Sequence, residues 1–118
     1  MNKVCLIGRI SSDLELKTTS TGKSKCEFDL AVKRAFDKNS SDFLRCVVWN
    51  QAAENLVKYK SKGDLIAVDG SVQADKYMGN DEKSHKKYYI IVGNVEYLSS
   101  PKEKTEPGEY DFGEDLPF

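Results

Sequence analysis

One decapeptide breaks an otherwise period-two chain, and that break limits the folds open to it. In Asn50–Tyr59, Ala52, Ala53, Leu56 and Val57 recur at helical spacing on one face. Asn50 is a good N-cap residue, and Gly63, just past Lys60 and Lys62, suits a helix stop. The flanking segments read as strands: residues 3–10, 26–36 and 43–49 before the helix, 64–77 and 86–98 after it. Residues 26–36 alternate Phe28, Leu30 and Val32 against Glu27, Asp29 and Ala31. Residues 64–77 alternate Ile66, Val68, Val72 and Ala74 against Asp69, Ser71, Gln73 and Asp75. Polar turns lie at 11–15, at 18–24 around Gly22, at 37–42 and at 79–83. Five strands with one helix between the third and fourth is the order of the OB-fold. The expected class is therefore all-β with one helix, a five-stranded Greek-key barrel over residues 1–98.

At 118 residues and 39% apolar composition the chain can build one core. It has no run of about 20 apolar residues, as a membrane span needs, and its opening residues carry no signal-peptide apolar region; a cytoplasmic location is expected. Cys5, Cys26 and Cys46 form no CxxC pair and there is a single histidine, His85, so no metal site is expected and the thiols read as reduced, inert and buried. No nucleophile–base pair, carboxylate dyad or Gly-rich phosphate loop stands out, which leaves no catalytic residue and no cofactor to name; the chain reads as a binding protein rather than an enzyme. Its charge is unevenly spread. Residues 1–98 hold 16 basic and 13 acidic side chains, a net of +3, whereas residues 99–118 hold 2 and 6, a net of −4. An anionic partner suits the body and a cationic one the tail. Residues 99–113 lack apolar periodicity and read as a disordered linker, while Glu114-Asp115-Leu116-Pro117-Phe118 sets two acids before an apolar tip.

The strand faces carry the binding signal. In the third strand Leu44, Cys46 and Val48 form a core row, and Phe43, Arg45, Val47 and Trp49 point the other way. Two large rings flanking an arginine are an odd choice for a solvated face but a good platform for nucleobases, since stacking is worth about 1–3 kcal/mol per base whatever the sequence. Tyr77, beside Lys76, shares the parity of Gln73 and Asp75, opposite the core set. Phe36 follows Lys33 and Arg34, but strict alternation sends it to the core side, so its exposure requires a bulge or sharp twist near Arg34. Any one such ring taken alone fits core packing; the set of four at strand ends, on strands that also carry Lys or Arg, fits a ligand. Arg9, Lys17, Lys33, Arg34, Arg45, Lys62, Lys76 and Lys87 are candidate phosphate contacts. Tyr59 reads as helix packing, and Tyr88, Tyr89 and Tyr97 as core or subunit contacts.

With these residues in hand, the chain resembles the bacterial and phage single-stranded DNA-binding proteins, homotetrameric OB-fold proteins. MNKVCLIGRI with its DLEL turn is similar to the family's first strand, with Leu14 where proline is usual. GKSKCEFDLAVKRAF resembles the second strand, and DFLRCVVWNQAAENLVKYKSKGDLIAVDGSVQADKY the third strand, helix and fourth strand. The resemblance implies base stacking on Phe36, Phe43, Trp49 and Tyr77, the last standing where some members have tryptophan. It also implies sequence-independent binding of single-stranded DNA by a homotetramer. Residues 114–118 resemble the family's acidic tip, which recruits replication, recombination and repair proteins. The short linker favours a phage- or plasmid-encoded form; the expected location is the cytoplasm, nucleoid-associated, or the host cytoplasm if phage-encoded. Two other classes remain open: an RNA-binding OB module, and an OB-fold protein-interaction component of the primosome type.

Overall fold

The computed structural model describes residues 1–37 and 39–99. The elements run β1 Val4–Ile10, β2 Leu16–Thr18, β3 Ser24–Lys33, β4 Ser41–Trp49, α1 Asn50–Tyr59, β5 Leu65–Met78 and β6 Ser84–Ser99. The sheet order is β1-β5-β6-β4-β3-β2, and β1 returns to β3 through Arg9↔Ala31 and Ile10↔Leu30, which closes the barrel. The architecture is the expected one: five barrel strands and one helix, in OB-like order. β2 is an addition, a three-residue strand on the flank of β3 in a stretch that reads as turn in sequence; its side chains are all exposed, so no alternation betrays it. Most pairings are antiparallel. β4 and β6 run parallel, through Cys46↔Ile90 and Val47↔Ile91, so the β3–β4 and β5–β6 connections lie at the same end of the barrel.

Alternation explains the interior. Cys26, Phe28 and Leu30 of β3, Cys46 and Val48 of β4 and Ile66 of β5 are fully buried, and α1 drives Ala53 and Leu56 into the same cluster. Burying a side chain the size of Phe28 or Leu56 stabilises the fold by about 1.5–3 kcal/mol. Closure needs a glycine at Gly8, where an added Cβ would run into the Ala31 carbonyl oxygen of the facing strand.

Several local expectations change. Asn50 does not cap α1: Trp49 occupies the N-cap position without a side-chain cap bond, and Asn50 turns the chain with a φ of 58°. The helix stops at Lys60, whose N–H donates to the Leu56 carbonyl, and Gly63 (φ 98°) serves the following turn, its N–H donating to the Ile10 carbonyl at 2.7 Å. Val72 and Ala74 are exposed rather than core. A register shift between Asp69 and Gly70 offsets the β5–β6 pairing; β6 stays in the barrel through buried Val92 and Ile90, the latter paired with Cys46 of β4, and past Val72↔Ile90 the two strands run on as a ribbon whose even-numbered side chains are exposed. For the same reason Tyr88 is 61% exposed, and Tyr97 and Tyr59 are also exposed rather than packed in the core. Cys5 is exposed, while Cys26 and Cys46 are buried. Among the described residues no helix is long and apolar enough to cross a membrane. The expected linker beyond residue 99 and the tip at 114–118 lie outside the described residues.

Candidate nucleic-acid interface

Register decides which side chains share a face. Across β3 and β4, Lys25 stands opposite Trp49, Glu27 opposite Val47, Asp29 opposite Arg45 and Ala31 opposite Phe43. β4 hands this face to β6 at Val47↔Ile91, and β6 hands it to β5 at Tyr89↔Gln73, Lys87↔Asp75 and His85↔Tyr77. Period two does the rest: odd-numbered residues of four strands line one solvent-open groove of about 430 Å³. Its floor is apolar at Val47 and Ile91, and its walls carry Lys25, Glu27, Arg45, Lys87 and the rings of Trp49 and Tyr89.

The expected aromatics distribute along this face. Trp49 lines the groove, half-buried, at the helix end of β4. Phe43 lies six residues away at the other end of β4, about 20 Å at strand rise, and is 67% exposed. Tyr77 is half-exposed on the ribbon and stacks on His85, ring centroids 5.5 Å apart. Phe36 is fully exposed in the β3–β4 connection, outside the groove lining. The parity conflict at Phe36 dissolves because β3 ends at Lys33; the Arg34 N–H donates to the Ser40 carbonyl and the chain bends, so no bulge is required.

The candidate cations separate more sharply. Arg45 and Lys87 line the groove with Trp49. Arg45 is committed within the chain, donating to Asp29 at 3.2 Å and Glu27 at 3.3 Å. Burial opposes its charge, but these two carboxylates outweigh it and hold its pKa above the ordinary value. Arg34 grips Asp42 at 2.9 Å near Phe36, and Arg9 donates to the Gly63 carbonyl at 3.1 Å on the helix side of β5. Lys17 and Lys33 are exposed on β2 and β3, and Lys62 in the α1–β5 connection. Lys76 pairs with Lys86 on the opposite face of the ribbon from Tyr77. The structure thus gathers Arg45 and Lys87 beside Trp49 and leaves the other six outside the groove lining.

Sequence reasoning missed Lys25, Glu27, Gln73, Asp75 and Tyr89. Lys25 lies next to a turn cluster, and nothing short of the cross-strand register sets its ammonium 5.4 Å from the Trp49 ring centroid. Tyr89 lies outside the core, half-buried on the groove wall. Its hydroxyl donates to Asp75 and accepts from Gln73 at 3.1 Å, and the bond to Asp75 raises its pKa. Glu27 accepts from Lys25 at 2.8 Å, and that bond is the main reason its carboxyl is held below the usual range.

A groove of this kind, with rings and cations on the curved face of a small barrel, fits comparison with known proteins. The model of the single-strand binding protein family matches residues 1–98. The chain belongs to that family. Among its relatives, a protein named single-stranded DNA-binding protein 3 from Listeria innocua is 41% identical over 104 residues, covering 85% of this chain and 65% of the relative. A single-stranded DNA-binding protein of Bacillus cereus is 38% identical over 102 residues, 83% of this chain and 60% of its own length. Single-stranded DNA-binding protein 2 of Listeria monocytogenes is 36% identical over 110 residues, covering 90% and 69%. The chain spans less than two thirds of the length of the first two.

Proposed function

We propose that this member of the single-strand binding protein family binds single-stranded DNA without sequence preference, protects it, and has no catalytic step of its own. The observation that carries the reading is the groove: Trp49 lines it, exposed Phe43 and Tyr77 continue its face, and Arg45 and Lys87 stand among them. Bases stack on Trp49, Phe43 and Tyr77, with Phe36 reached by the strand beyond the groove. Arg9, Lys17, Lys33, Arg34, Lys62 and Lys76 contact phosphates outside it, so the strand's path extends past one groove. Duplex DNA binds poorly because paired bases hide their faces.

Trp49 is the one tryptophan in the sequence, so its emission reports the site directly. Oligo-dT should quench it, with affinity falling as salt rises; duplex of equal length should bind far more weakly, and oligo-U no better than oligo-dT. Absent quenching, or equal affinity for duplex, ends the reading. Stronger binding of oligo-U would assign the groove to RNA.

Two finer assignments complete the proposal. The barrel assembles as a homotetramer in the cytoplasm of a bacterium, or of a phage's host. The tip recruits replication, recombination and repair proteins: Glu114 and Asp115 meet a basic rim while Leu116, Pro117 and Phe118 fill an apolar pocket. Residues 99–113 then act as the linker. Removing residues 116–118 should leave oligo-dT affinity intact and abolish capture of such partners; unchanged capture overturns the tip's role.

A further inference from the structure

Four charges alternate in sign in a ladder across β3 and β4: Lys25, Glu27 and Arg45 line the groove, and Asp29 stands opposite Arg45 just beyond it. Lys25 donates to Glu27 at 2.8 Å, Arg45 donates to the same carboxylate at 3.3 Å, and Arg45 also donates to Asp29 at 3.2 Å. Their side chains are between 28% and 40% exposed, enough shelter to strengthen the pairs and enough access for a ligand to break them. Two cations and two anions leave this ladder neutral. The Lys25 ammonium that binds Glu27 also lies 5.4 Å from the centroid of the Trp49 ring, from the strand directly opposite. Glu27 therefore touches both resources a single strand needs, the cations and, through Lys25, an indole face.

We infer that Glu27 is a positioning residue that holds the ladder from Lys25 to Asp29 in a neutral resting arrangement, with Lys25 seated over Trp49, which single-stranded DNA must displace in order to bind. The inference rests on the reading of the groove as the DNA site. A base stacking on that indole face takes the place of the ammonium. A phosphate taking Lys25 or Arg45 takes the place of the carboxylate. Each exchange uncovers Glu27, which then draws a cation from solution and offsets the counterion that the DNA releases. The pairs thus lower affinity and flatten its salt dependence, which keeps binding reversible on a strand that other proteins must reach.

The test uses the full chain and oligo-dT over a range of salt. Glu27→Gln keeps the shape and one acceptor but removes the charge. It should bind several-fold tighter at low salt, converge with the parent at high salt, and steepen the plot of log affinity against log salt by about 0.7 for a phosphate it frees. Without DNA, acrylamide should quench Trp49 more strongly in both Glu27→Gln and Lys25→Met. Asp29→Asn loosens Arg45 alone, so it should steepen the salt plot while leaving acrylamide quenching at the parent's level. Equal or weaker affinity of Glu27→Gln with an unchanged slope makes Glu27 a plain structural ion-pair partner and overturns the inference. Should that variant fail to fold, Lys25→Met decides the matter, and quenching equal to the parent's overturns it. A parent chain that ignores oligo-dT refutes the DNA reading instead, and the acrylamide result still tests the resting arrangement by itself.

Discussion

At the scale of single residues, Trp49 and Cys46 show how one strand serves two masters by alternation. Trp49 faces the groove, and truncating it removes the proposed stacking surface without opening the core. Trp49→Ala should weaken binding of a dye-labelled oligo-dT by about 1–3 kcal/mol, read by anisotropy, with the melting temperature little changed. Cys46 faces inward, and burial pushes its thiol up to about 12. The unfolded chain ionises such a thiol near about 8.5. A raised folded value means the stability is fully present below the unfolded pKa and is lost as pH climbs through the interval up to about 12. Urea midpoints should therefore fall as pH rises above the ordinary thiol range, and Cys46→Ala should flatten that fall. In the native state a thiol reagent should label Cys5, the exposed cysteine, and spare Cys26 and Cys46 until the chain unfolds.

Elements depend on backbone as much as on side chains. The entry to α1 turns on Asn50, whose φ of 58° lies where Asn is tolerated and β-branched residues are not. Asn50→Gly should leave stability unchanged or slightly raised, whereas Asn50→Val should lower it by about 1–2 kcal/mol in thermal melts. Equal melts for both would mean the turn relaxes freely. The β5–β6 ribbon rests on a second backbone device. At Gly70, where the register shifts, an added Cβ would strike the Ile91 carbonyl oxygen, so the strands come this close only around a glycine. Past Val72↔Ile90 the ribbon carries Tyr77 and Lys87 away from the core while keeping them on the groove's face.

The whole chain adds charge and assembly. A net of +3 over residues 1–98 is modest for a polyanion partner, and two of the groove's three cations, Lys25 and Arg45, are paired with carboxylates. The proposed homotetramer would multiply both groove and charge. Light scattering on the purified chain should give about four times 13.3 kDa, with or without oligo-dT; a monomer mass would leave each groove to act alone and remove the tetramer from the proposal.

How much of this could be read from the residues alone follows from the range of the interactions involved. Alternation and the helical decapeptide are local, so the five barrel strands, α1, the buried row of Cys46 and Val48 and the exposure of Phe43 and Tyr77 were all legible before any coordinates. The closing of β1 on β3, the register shift that leaves Gly93 unpaired opposite Asp69 and Gly70, the uncovered ribbon that exposes Val72 and Tyr88, the end of β3 that frees Phe36, and the neutral ladder from Lys25 to Asp29 were not. Each depends on which residue of one strand meets which residue of another many positions away. A slip of a single residue in that pairing would send Lys25 away from Trp49 while leaving the sequence pattern untouched.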